Sequence, residues 1–255
     1  MSTEHAVYPD LKGKTVLVSG GASGIGEFMV RAFAAQGAKV GFVDRAQSQG
    51  ERLAALLSSR GDAVEFVCCD ITDEIAYKAA IGRLEQSLGP ITVLVNNAAN
   101  DVRHTLEEVD SDTFDRLIAV NLKHAFFAAK AVVPMMKSAG SGSIINLGSV
   151  GWMMASAGYP VYAASKAAAH GMTRALAREL GPDRIRVNTL VPGWVMTEKQ
   201  LAMWVDDAAK DLIARSQCLP GSVLPEHIAN MALFLASDAS AMCSAQNFIV
   251  DGGWV

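Results

Sequence analysis

With 255 residues, 51% of them hydrophobic and 19% charged, and a mean hydropathy of +0.23, the chain can build a large core. That excludes a disordered tail and a disulfide-dependent miniprotein. The 22 Lys and Arg against 26 Asp and Glu leave a formal charge of −4, a poor match to a polyanion, so nucleic acid is not expected as a partner.

Cys68, Cys69, Cys218 and Cys243 show neither CxxC nor paired metal-ligand spacing, so no metal and a reduced, cytoplasmic compartment are expected. The first ten residues hold two acids and a proline but no basic or apolar stretch. No signal peptide is expected, and no apolar run reads as long enough to span a bilayer, so no membrane association is expected.

Short runs rich in β-branched residues alternate with longer Ala- and Leu-rich segments of helical period, the rhythm of βαβ units. The first strand covers 15–19 and leads into a helix over 25–36; further strands are expected over 39–44, 63–68, 92–96, 143–147, 186–191 and 248–250. Helices are expected near 46–60, 73–88, 112–138, 160–180 and 225–236, with Gly37, Gly61, Gly89 and Gly181 at or just past helix ends. Glycine there accommodates a left-handed cap. Nearly all-apolar strands suit a parallel sheet buried on both faces, and seven of them predict a single doubly wound, Rossmann-type α/β domain over residues 1–255, its sheet flanked by helices. Residues 194–222 are too long for a simple connection and read as a substrate lid. The low charged fraction has a candidate cause in apolar surface buried between subunits.

Ser19 to Gly26 reads SGGASGIG at the junction of the first strand and its helix. Glycines let a backbone approach a pyrophosphate and let a helix N-terminus face it. A tight turn needs glycine as well, but the strand before and the helix after favour a dinucleotide. Asp44 ends the second strand twenty positions after Gly24, where a carboxylate can bond adenosine ribose hydroxyls and would repel a 2′-phosphate. NAD is therefore expected rather than NADP, although Arg45 beside it softens the exclusion and a strand-end turn would also use an acid. Asp70 follows the third strand and Asn96-Asn97-Ala98-Ala99 the fourth. Each has a bland alternative, a helix N-cap region or a polar turn; together they mark the carboxyl edge of the sheet, where ligands bind.

Tyr162 and Lys166 stand at i and i+4, stacked on one helix face. A nearby cation favours phenolate, which makes tyrosine usable as a general base. Ser149, thirteen residues earlier and just past the fifth strand, can hydrogen-bond a reacting oxygen. Asn121 is a lone amide among Val120, Leu122, Ala125 and Phe126, and a buried amide there requires partners.

On these residues the chain resembles the short-chain dehydrogenase/reductase family over essentially its whole length. Residues 19–26 match TGxxxGIG with Ser19 for threonine, 96–99 match NNAG with Ala99 for glycine, and 192–197 match PGxxxT. The resemblance implies a catalytic set of Asn121, Ser149, Tyr162 and Lys166. Tyr162 would exchange the proton, Lys166 would bind the nicotinamide ribose and lower the tyrosine pKa, Ser149 would steady the substrate oxygen, and Asn121 would anchor a water chain. The implied cofactor cradle is Gly20, Ser23, Gly24, Ile25 and Gly26 for the phosphates and Asp44, Asp70 and Ile71 for the adenosine. Asn97, Ala98, Pro192, Gly193, Val195 and Thr197 would complete it, with Tyr162 and Lys166. A homotetramer is also implied.

Within the family, the run Asn100-Asp101-Val102-Arg103-His104, the Gln200 to Trp204 segment and the Asp251 to Trp254 tail resemble bacterial aldose 1-dehydrogenases of the D-xylose type. The implied substrate is a sugar oxidised at its anomeric carbon to the lactone, met by Asn100, Arg103, His104, Trp152, Trp194 and Gln200 beside Ser149 and Tyr162. Two rival readings are a 3-oxoacyl thioester reductase, against which Asp44 argues, and a non-catalytic NAD-binding protein, against which the intact catalytic set argues.

Overall fold

Thr15–Ser19 (β1) is buried along its whole length. In the computed structural model, which describes residues 6–255, the reason is that helices cover both faces of its sheet. Val16 and Val18 face one core with Met29, Phe33, Ile228 and Leu233, whereas Leu17 faces a second core with Ile81, Leu84, Val132 and Ile144. Successive side chains of a strand point to opposite faces, so with a core on each side the three central positions Val16, Leu17 and Val18 are all apolar. Residues 1–5, part of the stretch expected to carry no signal peptide, lie outside the described residues.

The elements follow the expected rhythm. After β1 come α1 (Gly24–Ala35), β2 (Lys39–Asp44), α2 (Gln47–Ser58), β3 (Val64–Cys68), α3 (Glu74–Leu88) and β4 (Ile91–Asn96). Then come α4 (Ser111–Ile118), α5 (His124–Ala139), β5 (Gly142–Leu147), α6 (Pro160–Leu180), β6 (Ile185–Pro192), α7 (Glu198–Met203), α8 (Asp207–Ser216), α9 (Pro225–Ala236) and β7 (Asn247–Val250). All seven strands join one parallel sheet of order β3-β2-β1-β4-β5-β6-β7. The order reverses between β1 and β4, and a crevice opens at such a switch point outside the carboxyl ends of the strands.

Three local expectations are corrected. The helix expected over 112–138 is two helices joined by a wide π turn, Ala119–Lys123, which carries Asn121; π turns of this kind recur at functional sites. Gly181 has φ in the right-handed region and starts a 3-10 turn, and the left-handed residue is Arg184 three positions on. The segment 194–222 holds α7 and α8, and Val195 near its start bridges Val223 just past its end. Finally, the helical stretch Ser111–Ala139 is long and apolar enough to cross a membrane by length and composition, against the expectation of none. Its apolar residues Ala128, Ala129, Val132 and Met136 are buried against the sheet, and a core helix meets the same test.

Candidate active site

The carboxyl edge of the sheet opens into a cleft of about 1440 Å³. Its floor at β1 depends on glycine. A Cβ on Gly26 would stand 1.9 Å from the Gly20 carbonyl oxygen, and one on Gly20, at φ +67°, would stand 2.8 Å from Ala98 Cα. Both positions therefore require close backbone approach. Gly24 contributes its φ of +54° and does not line the cleft, whereas Gly20, Ser23, Ile25 and Gly26 do. Ser23 makes no side-chain cap on α1, which leaves first-turn amides and the helix dipole to an anion. That cradle fits a dinucleotide pyrophosphate.

Ser19, in the place of threonine, ties the loop to β4: its hydroxyl accepts from Asn97 N–H at 3.1 Å and from Ala98 N–H at 3.2 Å. Asn97 returns its amide to the carbonyls of Ser19 and Gly20 at 3.0 Å each. Asp44 accepts from Ala22 N–H at 3.1 Å and Ala46 N–H at 2.9 Å and lines the cleft beside Asp70 and Ile71. Asp70 accepts from the Thr72 amide and hydroxyl, which hold its carboxyl below the usual range. The N-cap of α3 is Asp73. Pro192, Gly193, Val195 and Thr197 line the opposite wall, and Thr197 also caps α7 by accepting from Gln200 N–H at 3.3 Å.

Ser149, Tyr162 and Lys166 converge on the cleft from the end of β5 and the first turns of α6. The Ser149 hydroxyl caps a short 3-10 turn, accepting from Gly151 N–H at 3.1 Å, and is hydrogen-bonded to the Tyr162 phenol. Asn121 is buried beneath; it accepts from Asn100 N–H at 2.8 Å and donates to Asn100 C=O at 3.0 Å, which answers its need for partners. The expected depression of the tyrosine pKa is corrected. Burial pushes the Tyr162 phenol up to about 12, against the smaller opposing effect of the Ser149 bond. Lys166 donates to the Leu147 carbonyl, and burial brings its own pKa down to about 8.

The substrate end divides. Asn100, Arg103, Trp194 and Gln200 line the cleft with Ser149 and Tyr162. The Asn100 carboxamide oxygen accepts from Val102 N–H at 3.2 Å. His104 and Trp152 do not line the cleft, contrary to expectation. The His104 ring is drawn inward by bonds to Val102 and Val161. The bond between Ser149 and Gly151 tightens the turn so that Val150 and Gly151 face the cleft in place of Trp152.

Several contacts went unread in the sequence because their partners are distant. Asp101 accepts from Lys199 and, at 2.7 Å, from Gln200, whose carbonyl in turn accepts from Trp194 Nε1 at 2.9 Å. Burial works to raise the Asp101 carboxyl, but the Lys199 bond holds it below the usual range. The Arg103 guanidinium lies 4.1 Å from the Tyr159 ring centre and 5.2 Å from that of Trp204. His124 is buried, and desolvation, with the Lys166 charge adding to it, brings its imidazole down to about 3, so it is neutral. The polar run at 100–104, Trp194 and the Gln200 to Trp204 segment were read from the sequence, but not these pairings.

A family profile described as enoyl-(acyl carrier protein) reductase matches residues 20–255. The D-xylose 1-dehydrogenase of Caulobacter vibrioides is 43% identical over 249 residues, spanning 98% of each chain. The "Probable galactose dehydrogenase" of Rhizobium meliloti is 41% identical over 254 residues, spanning 99% of each. Among solved structures, a gluconate 5-dehydrogenase from Burkholderia cenocepacia in complex with NADP and tartrate is similar at a TM-score of 0.89 and 31% identity, over 96% of this chain and 97% of that one. Sheet order, glycine cradle and full-length similarity agree: the chain belongs to the short-chain dehydrogenase/reductase family of NAD(P)-dependent oxidoreductases acting on CH–OH donors.

Proposed function

We propose that the protein oxidises the anomeric hydroxyl of an aldose to the lactone, with NAD as hydride acceptor and Tyr162 as general base. The observation that supports this most is the polar lining of the cleft, which Asn100, Arg103 and Gln200 share with Ser149 and Tyr162, in a chain similar to sugar dehydrogenases. Polar groups fixed by their own hydrogen bonds, as Gln200 is by Asp101 and Trp194, favour a hydroxyl-rich ligand that can use their remaining donors and acceptors.

A nicotinamide held in the cleft by the glycine cradle and Lys166 would supply the hydride acceptor for the substrate carbon. The substrate O–H proton passes to the Tyr162 oxygen as the C–H bond breaks, so one proton and one hydride leave together and a C=O forms. Ser149 orients the substrate oxygen, Asn121 anchors the Asn100 loop and a water chain, and Lys166 holds the nicotinamide ribose. The cradle from Gly20 to Gly26, with Asp70, Ile71, Asn97, Ala98 and the 192–197 wall, holds the rest of the cofactor. Asp44 favours NAD, since its carboxylate would meet a 2′-phosphate as a like charge. Residues 1–255 act as one catalytic domain in which 194–222 is the lid, assembled as a homotetramer in the cytoplasm.

The test is purified protein with NAD or NADP and a panel of aldoses, polyols and 3-oxoacyl thioesters, followed by nicotinamide absorbance. Turnover of an aldose with NAD, with lactone as product, is expected. Turnover of a thioester with no sugar active overturns the reading in favour of the reductase.

A further inference from the structure

Helix α6 carries Tyr162 as its third residue, yet has no local side-chain cap. Tyr159 at the N-cap position makes no side-chain bond to the helix, and Pro160 follows it without an N–H. The next donor is met from 57 positions away: Val161 N–H donates to His104 Nε2 at 3.4 Å. Nδ1 of the same ring lies 3.0 Å from the Val102 carbonyl oxygen, which can only accept. The two contacts together select the neutral imidazole with its proton on Nδ1. The His104 backbone N–H adds a bond of 2.8 Å to the Gly158 carbonyl, on the other side of the same turn. His104 is buried, and its ring is outside the cleft lining.

The loop that holds His104 is itself anchored. Asn121 grips Asn100 through both backbone groups, Asp101 is bonded to Lys199 and Gln200 of the 194–222 segment, and Arg103 covers the Tyr159 ring. Residues 100–104 thus join the π turn, the 194–222 segment and the turn that precedes Tyr162.

We infer that His104 is a positioning residue: its neutral imidazole caps α6 across the fold and holds the Tyr162 oxygen in line with the substrate. The inference rests on the reading of Tyr162 as the general base. The capping bond fixes where the first turn of α6 sits, and a reacting group displaced by about 1 Å loses up to roughly a hundredfold in rate.

His104→Leu removes both ring bonds, and His104→Gln offers an amide oxygen to Val161 N–H. In the leucine variant, kcat is expected to fall roughly ten- to a hundredfold with the cofactor dissociation constant unchanged; the glutamine variant recovers to within about threefold of the parent. Hydrogen exchange at the Val161 amide is expected to be slow in the parent, fast with leucine and slow again with glutamine. Exchange needs no substrate, so it separates a failure of this inference from a wrong substrate or a wrong base. The inference is overturned by leucine turnover within about twofold of the parent, by equal losses in both variants, or by a freely exchanging Val161 amide in the parent. Should the leucine variant not fold, the glutamine variant decides alone: slow exchange and kcat within about threefold support the role, and a loss beyond about tenfold overturns it.

Discussion

The Lys166 ammonium donates to the Leu147 carbonyl oxygen at 2.7 Å while its nitrogen lies 5.6 Å from the centre of the Tyr162 ring. The cation one turn along the helix is therefore held by the end of β5, and the phenol answers chiefly to its own desolvation. Both partners move toward neutrality, Tyr162 up to about 12 and Lys166 down to about 8.

Tyr162→Phe removes the proton acceptor and keeps the ring. Turnover is expected to fall by on the order of 10²–10⁴, the usual worth of a general base. Steady-state kinetics check it, with a cofactor fluorescence titration alongside to separate lost turnover from weakened cofactor binding.

The direction of the phenol shift sets the pH dependence. A group at about 12 is mostly protonated at neutral pH, ready to donate in carbonyl reduction, while oxidation draws on the small deprotonated fraction. The kcat/KM of oxidation should climb as pH rises toward that value, by up to about tenfold per unit, while reduction stays level over the same range. Profiles in both directions test this, and an oxidation rate that falls between about pH 7 and 9 would contradict it.

Lys166 is buried and its folded pKa, about 8, is below the ordinary 10.5. Between those values the unfolded chain binds more protons, so stability rises with pH across that window, and below it the buried charge costs on the order of 3 kcal/mol. Lys166→Met should therefore unfold no earlier than the parent at about pH 7, with any advantage shrinking toward about pH 10, while turnover falls at least about a hundredfold. Thermal unfolding at the two pH values, with kinetics alongside, would show whether the charge is kept for function at the expense of stability.

Asp44→Ser removes the like charge that a 2′-phosphate would meet. Because a like-charge contact costs several kcal/mol, the ratio of NADP to NAD efficiency should rise at least about tenfold. Affinity for NAD should weaken as well, since Ala22 and Ala46 N–H lose their carboxylate acceptor. Kinetics with both cofactors measure the ratio, and an unchanged ratio would remove Asp44 from cofactor selection.

The Asp101–Lys199 pair joins the 194–222 segment to the substrate loop, but the lysine is half-exposed. Such a pair is worth about 1 kcal/mol or less, so Asp101→Asn should raise substrate KM by no more than about fivefold, and salt should shrink the difference. A loss beyond about a hundredfold would mean that Asp101 does more than latch the segment.

The strands were legible because a parallel sheet covered on both faces favours runs of apolar residues, so 15–19 and 39–44 match β1 and β2 end for end. Asn121 stood out for the same reason, as an amide with no apolar excuse in its helix. Its π turn was not legible, since a break in helical register leaves the residue types unchanged. Gly181 misled because the left-handed turn falls on Arg184, after an extra 3-10 turn that no glycine marks.

Periodicity and spacing determined the alternating α/β architecture, the glycine cradle and the pairing of Tyr162 with Lys166 on one helix, because those properties depend on neighbours along the chain. Only the tertiary structure decided that His104 caps α6 from 57 positions away, that Asp101 holds Lys199, and that Lys166 turns to Leu147. Those contacts join residues far apart in the chain, and the competition for each donor and acceptor is settled by burial, which the linear order of residues does not record.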